Sequence, residues 1–497
     1  MDNENKTERG FGRKMTLADK IKCTFWCVAI LLFTVWVASF WVLILLPFVV
    51  DVYWTHFIPW SWWRGIKNRL VREVMSWVDA IVFAIAAIWV LQNFFFQNFQ
   101  IPTTSLEKTM LAGDYLLVSK CHYGPRVPMT PLSLPIFQHT IELFGKKFGK
   151  SYIEHPQVAY RRVPGLTEIK RGNIVVFNYP CGDSVIVNEP EVDYYQVRNY
   201  YVNGLKMSQQ QFESAVGPVM RRPVDRRENY VKRCVGLPGE TIQIVERQLY
   251  VDGQEYKNPD EMQQQYYVYT NSPLAKIPNS YWHNLGIYTH GRSGSSTVES
   301  DVYEIVDSEQ TGPDLTVRAQ YLNIQPDSLT GQYNHLYSVN LTAAKAAKVA
   351  QRKDVSLVVL EPTKFQYYEG IFPQSPLFRW QQNNFGPLWI PKKGEQVELN
   401  AENEALYGRC IRVYEGNTLT SDGQGNYKLN GVPATTYTFQ MDYYWMMGDN
   451  RDHSLDSRFW GFVPEDHIVG TPLFIWISID PENGDWRWDR LFKSVDE

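Results

Sequence analysis

Twenty-eight consecutive residues without a charge, Cys23 to Val50, constrain this chain more than any other feature. At about 1.5 Å per residue such a run exceeds the roughly 30 Å hydrocarbon core of a bilayer, so it can span with tilt. It is too long for a cleaved signal peptide and lacks a small-residue cleavage site. Trp54, Trp60, Trp62 and Trp63 follow it, as in an interfacial aromatic belt. A second uncharged run, Ala80 to Phe96, has 17 residues, near the lower limit for a span; its competing reading is a buried helix of a soluble protein. Between the two, Arg64, Lys67, Arg69 and Arg72 form a basic, partly amphipathic stretch suited to anionic lipid. Charge alone leaves orientation open: the first 22 residues carry six Lys/Arg against four Asp/Glu, and the inter-span loop is basic as well.

The remainder reads as a large soluble part rich in β structure. Tyr115–Val118, Ile174–Phe177 and Leu473–Ile477 are short apolar runs of strand length, and Thr241–Ile244 alternates apolar with polar positions. Asn203-Gly204, Asp252-Gly253 and Asn430-Gly431 are hairpin-turn dipeptides, because type I′ turns need positive φ. Aromatic residues make up 14% of the chain, in keeping with strands and membrane interfaces. The stretch from about Glu255 to Phe439 differs, with a Gln263–Gln265 run, a Gly/Ser loop at Gly291–Ser296 and one clear helix near Leu341–Arg352 capped by Thr342. It reads as an inserted domain. Pro391–Leu399 faintly echoes Pro238–Ile244, with chance similarity at least as good an account. A net charge of −4 gives no sign of nucleic acid. Nine scattered histidines offer no metal-ligand pair, and six cysteines include no CxxC.

Eight residues separate the second run from Ser105, which lies in Ile101–Met110. A serine hydroxyl is a poor nucleophile until a base takes its proton. A histidine base would draw on His453, beside Asp449, Asp452 and Asp456, but no G-x-S-x-G elbow accompanies it. A lysine serves if burial holds it neutral. Lys232, between Val231 and the apolar Val235–Pro238 stretch, can face the core of a strand while Arg233 meets water.

Four boxes in this order resemble bacterial type I signal peptidase, the Ser–Lys peptidase that removes signal peptides. They are Ile101–Met110, Arg171–Phe177, Tyr230–Glu240 and Gly448–Val463. The resemblance implies Ser105 as nucleophile and Lys232 as general base. It implies Thr103 as an oxyanion donor acting with the Ser105 N–H, Ser454 as the hydroxyl that orients the lysine amine, and Asp456 with Arg458 as a bracing pair. Leu106 stands where the family usually has Met, and Thr104 where it often has a small residue.

The expected fold is mainly β: a signal-peptidase-like catalytic β domain with a large inserted α+β domain, anchored by two N-terminal transmembrane helices. The expected segments are a tail (1–22), helix one (23–50), a basic cytoplasmic loop (51–79), helix two (80–98), the catalytic domain in two parts (99–254 and 440–497) and the insertion (255–439). The resemblance implies a two-pass protein of the inner cell membrane with its catalytic domain outside. Its partners would be signal-peptide-bearing preproteins, membrane lipid and the export translocon, without nucleic acid, metal or organic cofactor. Two alternatives remain: an inactive membrane-anchored binding protein of the same fold, and a self-cleaving Ser–Lys peptidase. Replacing 255–439 with a short turn is expected to leave dyad chemistry measurable on a short peptide.

Overall fold

A computed structural model of the chain describes all residues except 1–14, 103–104, 107–108, 190–191, 288, 290–299, 309, 311, 329, 366–369, 481–483 and 496–497. Thr103, Thr104 and the Gly291–Ser296 loop therefore lie outside the described residues. The rest forms two compact units, 1–97 with 120–168, and 98–119 with 169–497.

In the first unit the leading apolar run is not one helix. The helix occupies Leu17–Val37, with Thr16 as its N-cap in a capping box with Asp19, and it stops at Ala38. There the backbone turns left-handed, at φ 49°, and short helical segments at Phe40–Ile44 and Leu45–Val50 follow. Twenty-one residues still give about 31 Å of helix. The second helix, Arg69–Phe94, begins earlier than the uncharged run and takes Arg69 and Arg72 into its first turn, with Asn68 as N-cap. Both helices are long and apolar enough to cross a membrane. Phe33, Trp36, Trp89 and Phe94 pack with Val127 and Val163 of the 120–168 segment. Two hydrogen bonds tie that segment to the helix ends: Trp36 Nε1 donates to the Pro164 carbonyl at 3.2 Å, and Arg161 to that of Ala38 at 2.7 Å.

The second unit is mainly β. One antiparallel path runs Asp114–Ser119, Ile468–Ser478, Ile174–Asn178, Asn229–Gly236, Tyr443–Met447 and Val463–Pro464. All four strands read from the sequence are present. Asp252-Gly253 and Asn430-Gly431 each join two strands with both residues at positive φ, as a type I′ turn requires. Asn203-Gly204 is not a hairpin; it closes a helical turn, Asn199–Gly204.

Gln263–Thr270 is the centre of a separate four-stranded sheet with Val302–Ile305, Leu336–Thr342 and Val355–Leu360. The helix near 341 runs Ala343–Ala350, and the Thr342 hydroxyl accepts from Lys345 N. Periodicity missed the short helices Asn279–Asn284, Asp314–Tyr321 and Ala401–Arg409. Residues from Phe385 to Phe439 do not belong to that sheet. Phe385, Leu388, Tyr407, Ile411 and Phe439 share one core with Val235, Ile242, Leu249, Trp445 and Phe462. The echo between Pro238–Ile244 and Pro391–Leu399 has a structural counterpart. Gly239 and Gly394 both have positive φ, each inside a tight turn closed by Glu240 N to Leu237 O and by Glu395 N to Lys392 O, and each leads into a strand.

Candidate active site

The strand Asn229–Gly236 lies between Ile174–Asn178 and Tyr443–Met447, and this central place buries Lys232. Lys232 faces Val175 across the ladder. Its Nζ lies 2.6 Å from Ser105 Oγ in a buried hydrogen bond. Ser105 and Lys232 are only 8% and 5% exposed, so water competes little for either group. The amine also sits 5.7 Å from the centre of the Tyr230 ring, which stacks on Tyr179 and packs against Trp460.

Burial pushes the Lys232 ammonium down from the ordinary 10.5 to about 8, against the pull of Asp456 and Asp449, which favour the charged form. Near neutral pH roughly a tenth of the amine is then uncharged and able to take a proton. The unfolded chain keeps this proton until its ordinary, higher pKa. Above about 8 the folded chain has released it, so stability rises with pH between the two values. Below about 8 both states hold the proton and the burial cost, about 3 kcal/mol, is fully present.

Arg233 takes the more open face, as the strand alternation had it, but it meets water only in part. Its guanidinium grips Asp449 with two bonds, at 2.8 and 2.7 Å, and Asp449 also accepts from Thr109 Oγ1 at 2.9 Å. The lysine's neighbour in sequence thus ties the closing box to the nucleophile loop. Sequence reading passed over Thr109 and weighed Asp449 only as an acid beside His453; the signal for both was their presence in the two boxes. A second fastening, also missed, is Asp114. It accepts from Leu111 N at 2.7 Å and holds Arg490 through 3.0 and 2.6 Å contacts.

Asp456 and Arg458 form a buried two-point pair at 2.9 and 2.7 Å. Asp456 additionally accepts from Gly448 N at 3.1 Å and caps the helix Ser457–Trp460. The pair therefore fixes the backbone at Gly448, where space is tightest. A Cβ there would lie 2.5 Å from the Ser105 carbonyl oxygen and 2.2 Å from Ser454 Oγ. Ser454 thus borders the nucleophile, but its buried hydroxyl makes no hydrogen bond, to Lys232 or to any other described residue. His453 turns to Asp301, 3.9 Å away, rather than to Ser105. Among the described residues no group of three or more His, Cys, Asp or Glu is placed to hold a metal ion.

A buried serine hydroxyl bonded to a lysine of lowered pKa, with a buried ion pair fixing the neighbouring backbone, is an arrangement able to carry out serine-dependent acyl transfer. A family model described as "Signal peptidase, peptidase S26" matches residues 74–303 and 392–477. The Signal peptidase I of Buchnera aphidicola subsp. Schizaphis graminum is 45% identical over 408 residues, 82% of this chain and 76% of that protein. The Signal peptidase I of Haemophilus influenzae is 22% identical over 433 residues, 86% of this chain and 78% of that protein.

Gly448→Ala is predicted to cut turnover by about 100-fold or more while the protein stays folded. The added methyl must push the Ser105 backbone aside, and displacements near 1 Å cost that much. Steady-state kinetics with circular dichroism checks this; a near-normal kcat would show that the loop yields without cost.

Proposed function

We propose that this chain, which belongs to the signal peptidase family, peptidase S26, is a membrane-anchored serine endopeptidase that cleaves signal peptides from exported preproteins with a Ser105–Lys232 dyad. The observation that carries the reading is the buried 2.6 Å contact between the serine hydroxyl and an amine whose burial holds its pKa near 8.

The neutral Lys232 amine takes the Ser105 proton as Oγ attacks the scissile carbonyl. The resulting oxyanion is met by the Ser105 N–H and the Thr103 hydroxyl. Collapse expels the amine of the mature chain, which takes the proton back from the Lys232 ammonium, and leaves an acyl-enzyme on Ser105. Lys232 then removes a proton from water, whose attack frees the signal peptide and restores the serine. Ser454, whose hydroxyl does not bond the amine in this structure, is the proposed partner orienting it in the reacting complex, and Asp456 with Arg458 holds the loop behind it. Ile101 and the short stretch before Ser105 keep the nucleophile close to the end of the second apolar helix in sequence. The substrate's cleavage region would leave the bilayer there, extended. It would pair with a strand edge and place small −3 and −1 side chains in shallow pockets.

The helices Leu17–Val37 and Arg69–Phe94 are the proposed anchor, with the basic loop inside and the catalytic domain outside. Lipid and the export translocon are the proposed further partners. The inserted α+β region is placed within 255–439. The family model's gap over 304–391 supports an insertion. Because Phe385–Phe439 packs onto the Val235–Val251 core, the proposed insertion is confined to the sheet from Gln263 to Leu360.

Purified protein assayed on a preprotein tests the dyad. Ser105→Ala and Lys232→Arg should each lose at least about 1000-fold in kcat, because one lacks the nucleophile and the other's guanidinium stays protonated. His453→Ala should retain most of its activity. An active Lys232→Arg beside an inactive His453→Ala would replace the dyad with a triad.

Thr103→Val keeps the side-chain shape and removes a donor needed only in the transition state. We expect roughly a 100-fold fall in kcat with KM within about twofold. Equal kcat for the two would remove Thr103 from the mechanism.

A further inference from the structure

The strand Gln263–Thr270 does not end at its own sheet. Its first residue runs alongside the closing box as an isolated parallel bridge to Asn450. Gln263 N donates to the Asp449 carbonyl at 2.9 Å, and Arg451 N donates to the Gln263 carbonyl at 3.0 Å. From the neighbouring strand Leu336–Thr342, Asn340 Nδ2 donates to Asn450 Oδ1 at 2.9 Å. Asn450 in turn donates its backbone N–H to the Ser105 carbonyl at 3.1 Å. Only Asn450 separates the second sheet from the nucleophile's own peptide group.

The next residues of the box are held by Gln265 of the same strand and by Arg247 and Gln382 outside that sheet. Asp452 Oδ2 accepts from Arg247 Nη1 at 2.7 Å and from Gln265 N at 2.8 Å. The other nitrogen of that guanidinium, Nη2, donates to the Glu361 carbonyl at 2.6 Å. Gln382 Nε2 donates to the Arg451 carbonyl at 2.8 Å. Gln263, Asn340 and Asn450 have 0% exposure, so water cannot stand in for a lost partner and each bond has one geometry. These contacts all come from residues outside the four sequence boxes.

We propose that the sheet Gln263–Leu360 is a brace for the active site. Asn340 and the Gln263 end of its strand are positioning residues that set where Asn450, and through it Ser105, stands relative to Lys232. The inference rests on the Ser105–Lys232 reading of function and deepens it. It also turns against the expectation that dyad chemistry stays measurable on a short peptide when 255–439 is replaced: removing the region strips Asp452, Asn450 and Asp449 of buried partners, at the nucleophile contact or within two residues of it.

The test uses the full-length protein, a short peptide substrate and a serine-directed covalent probe of Ser105. Asn340→Leu keeps approximate size and cannot donate; if it fails to fold, Asn340→Ala, which cannot donate either, takes its place. The control is Val349→Ala, which opens the core packed on the same sheet and removes none of these hydrogen bonds. Both are assayed well below their melting temperatures. We expect the Asn340 variant to lose about 10- to 100-fold in kcat and in probe labelling, with KM within about twofold. Val349→Ala should lower the melting temperature and leave both rates near wild type. Normal kcat and labelling in the Asn340 variant would overturn the brace, as would equal losses in the two variants, which would mark a general effect of stability. A wild type that neither labels at Ser105 nor cleaves the peptide would overturn the functional reading itself, a distinct failure.

Discussion

A lysine amine 2.6 Å from a serine hydroxyl, both cut off from water, is the contact on which the rest of the site depends. Lysine is charged at neutral pH in solution and cannot then accept a proton. Its use as a base requires that the fold impose the cost of burying the charged form. A central strand does this. The strand runs between Ile174–Asn178 and Tyr443–Met447; Lys232 itself pairs with Val175, and its side chain lies beside the Tyr230 ring. Asp456 and Asp449 moderate the shift, and Arg458 and Arg233 occupy their carboxylates directly. The two ion pairs therefore limit how far these acids recharge the lysine, besides holding the loops together.

The serine is held with equal care, by its backbone as well as by its hydroxyl. Its carbonyl accepts from Asn450 and abuts Gly448, and its loop is fastened at Thr109, Leu111 and Asp114. Such fixing makes sense for a nucleophile on an irregular segment, where no ladder of backbone bonds supplies rigidity. Gly448 is the point at which side chains would intrude, and its N–H is spoken for by Asp456. Closing box, nucleophile loop and lysine strand thus converge without a histidine. The imidazole of His453, next to three acidic residues in sequence, points to Asp301 instead.

Much of this was legible in the chain because the relevant signals are local. Tyr115–Val118 and Ile174–Phe177 are continuous apolar runs, and strands buried on both faces read that way. Ser105 and Lys232 were found through the order of four boxes. What escaped has a physical reason in each case. The break at Ala38 lies inside an unbroken apolar run, where hydropathy carries no mark of a left-handed turn. Arg233 looked like the solvent side of a strand, because alternation says which face a residue takes but not what covers that face. Asn203-Gly204 carries a hairpin dipeptide, but the helical segment Tyr194–Arg198 leads straight into it. The contacts of Asn340, Gln263 and Arg247 join residues about 110 to 205 positions from their partners in the closing box, beyond the reach of any periodicity. Phe385–Phe439, which reads as part of the insertion, returns to the main core through scattered aromatic residues rather than one amphipathic element.

The central claim is that burial alone makes Lys232 a base, and its proton can be followed directly. Full-length protein labelled with 13C at the lysine ε-carbon, with the Lys232 resonance assigned by its loss in Lys232→Arg, is titrated by NMR. The account predicts a midpoint near 8 in the folded protein, moving back toward the ordinary lysine value on unfolding. A folded-state midpoint at about 10.4 would contradict it, since an amine that holds its proton that tightly cannot serve Ser105 as a base near neutral pH.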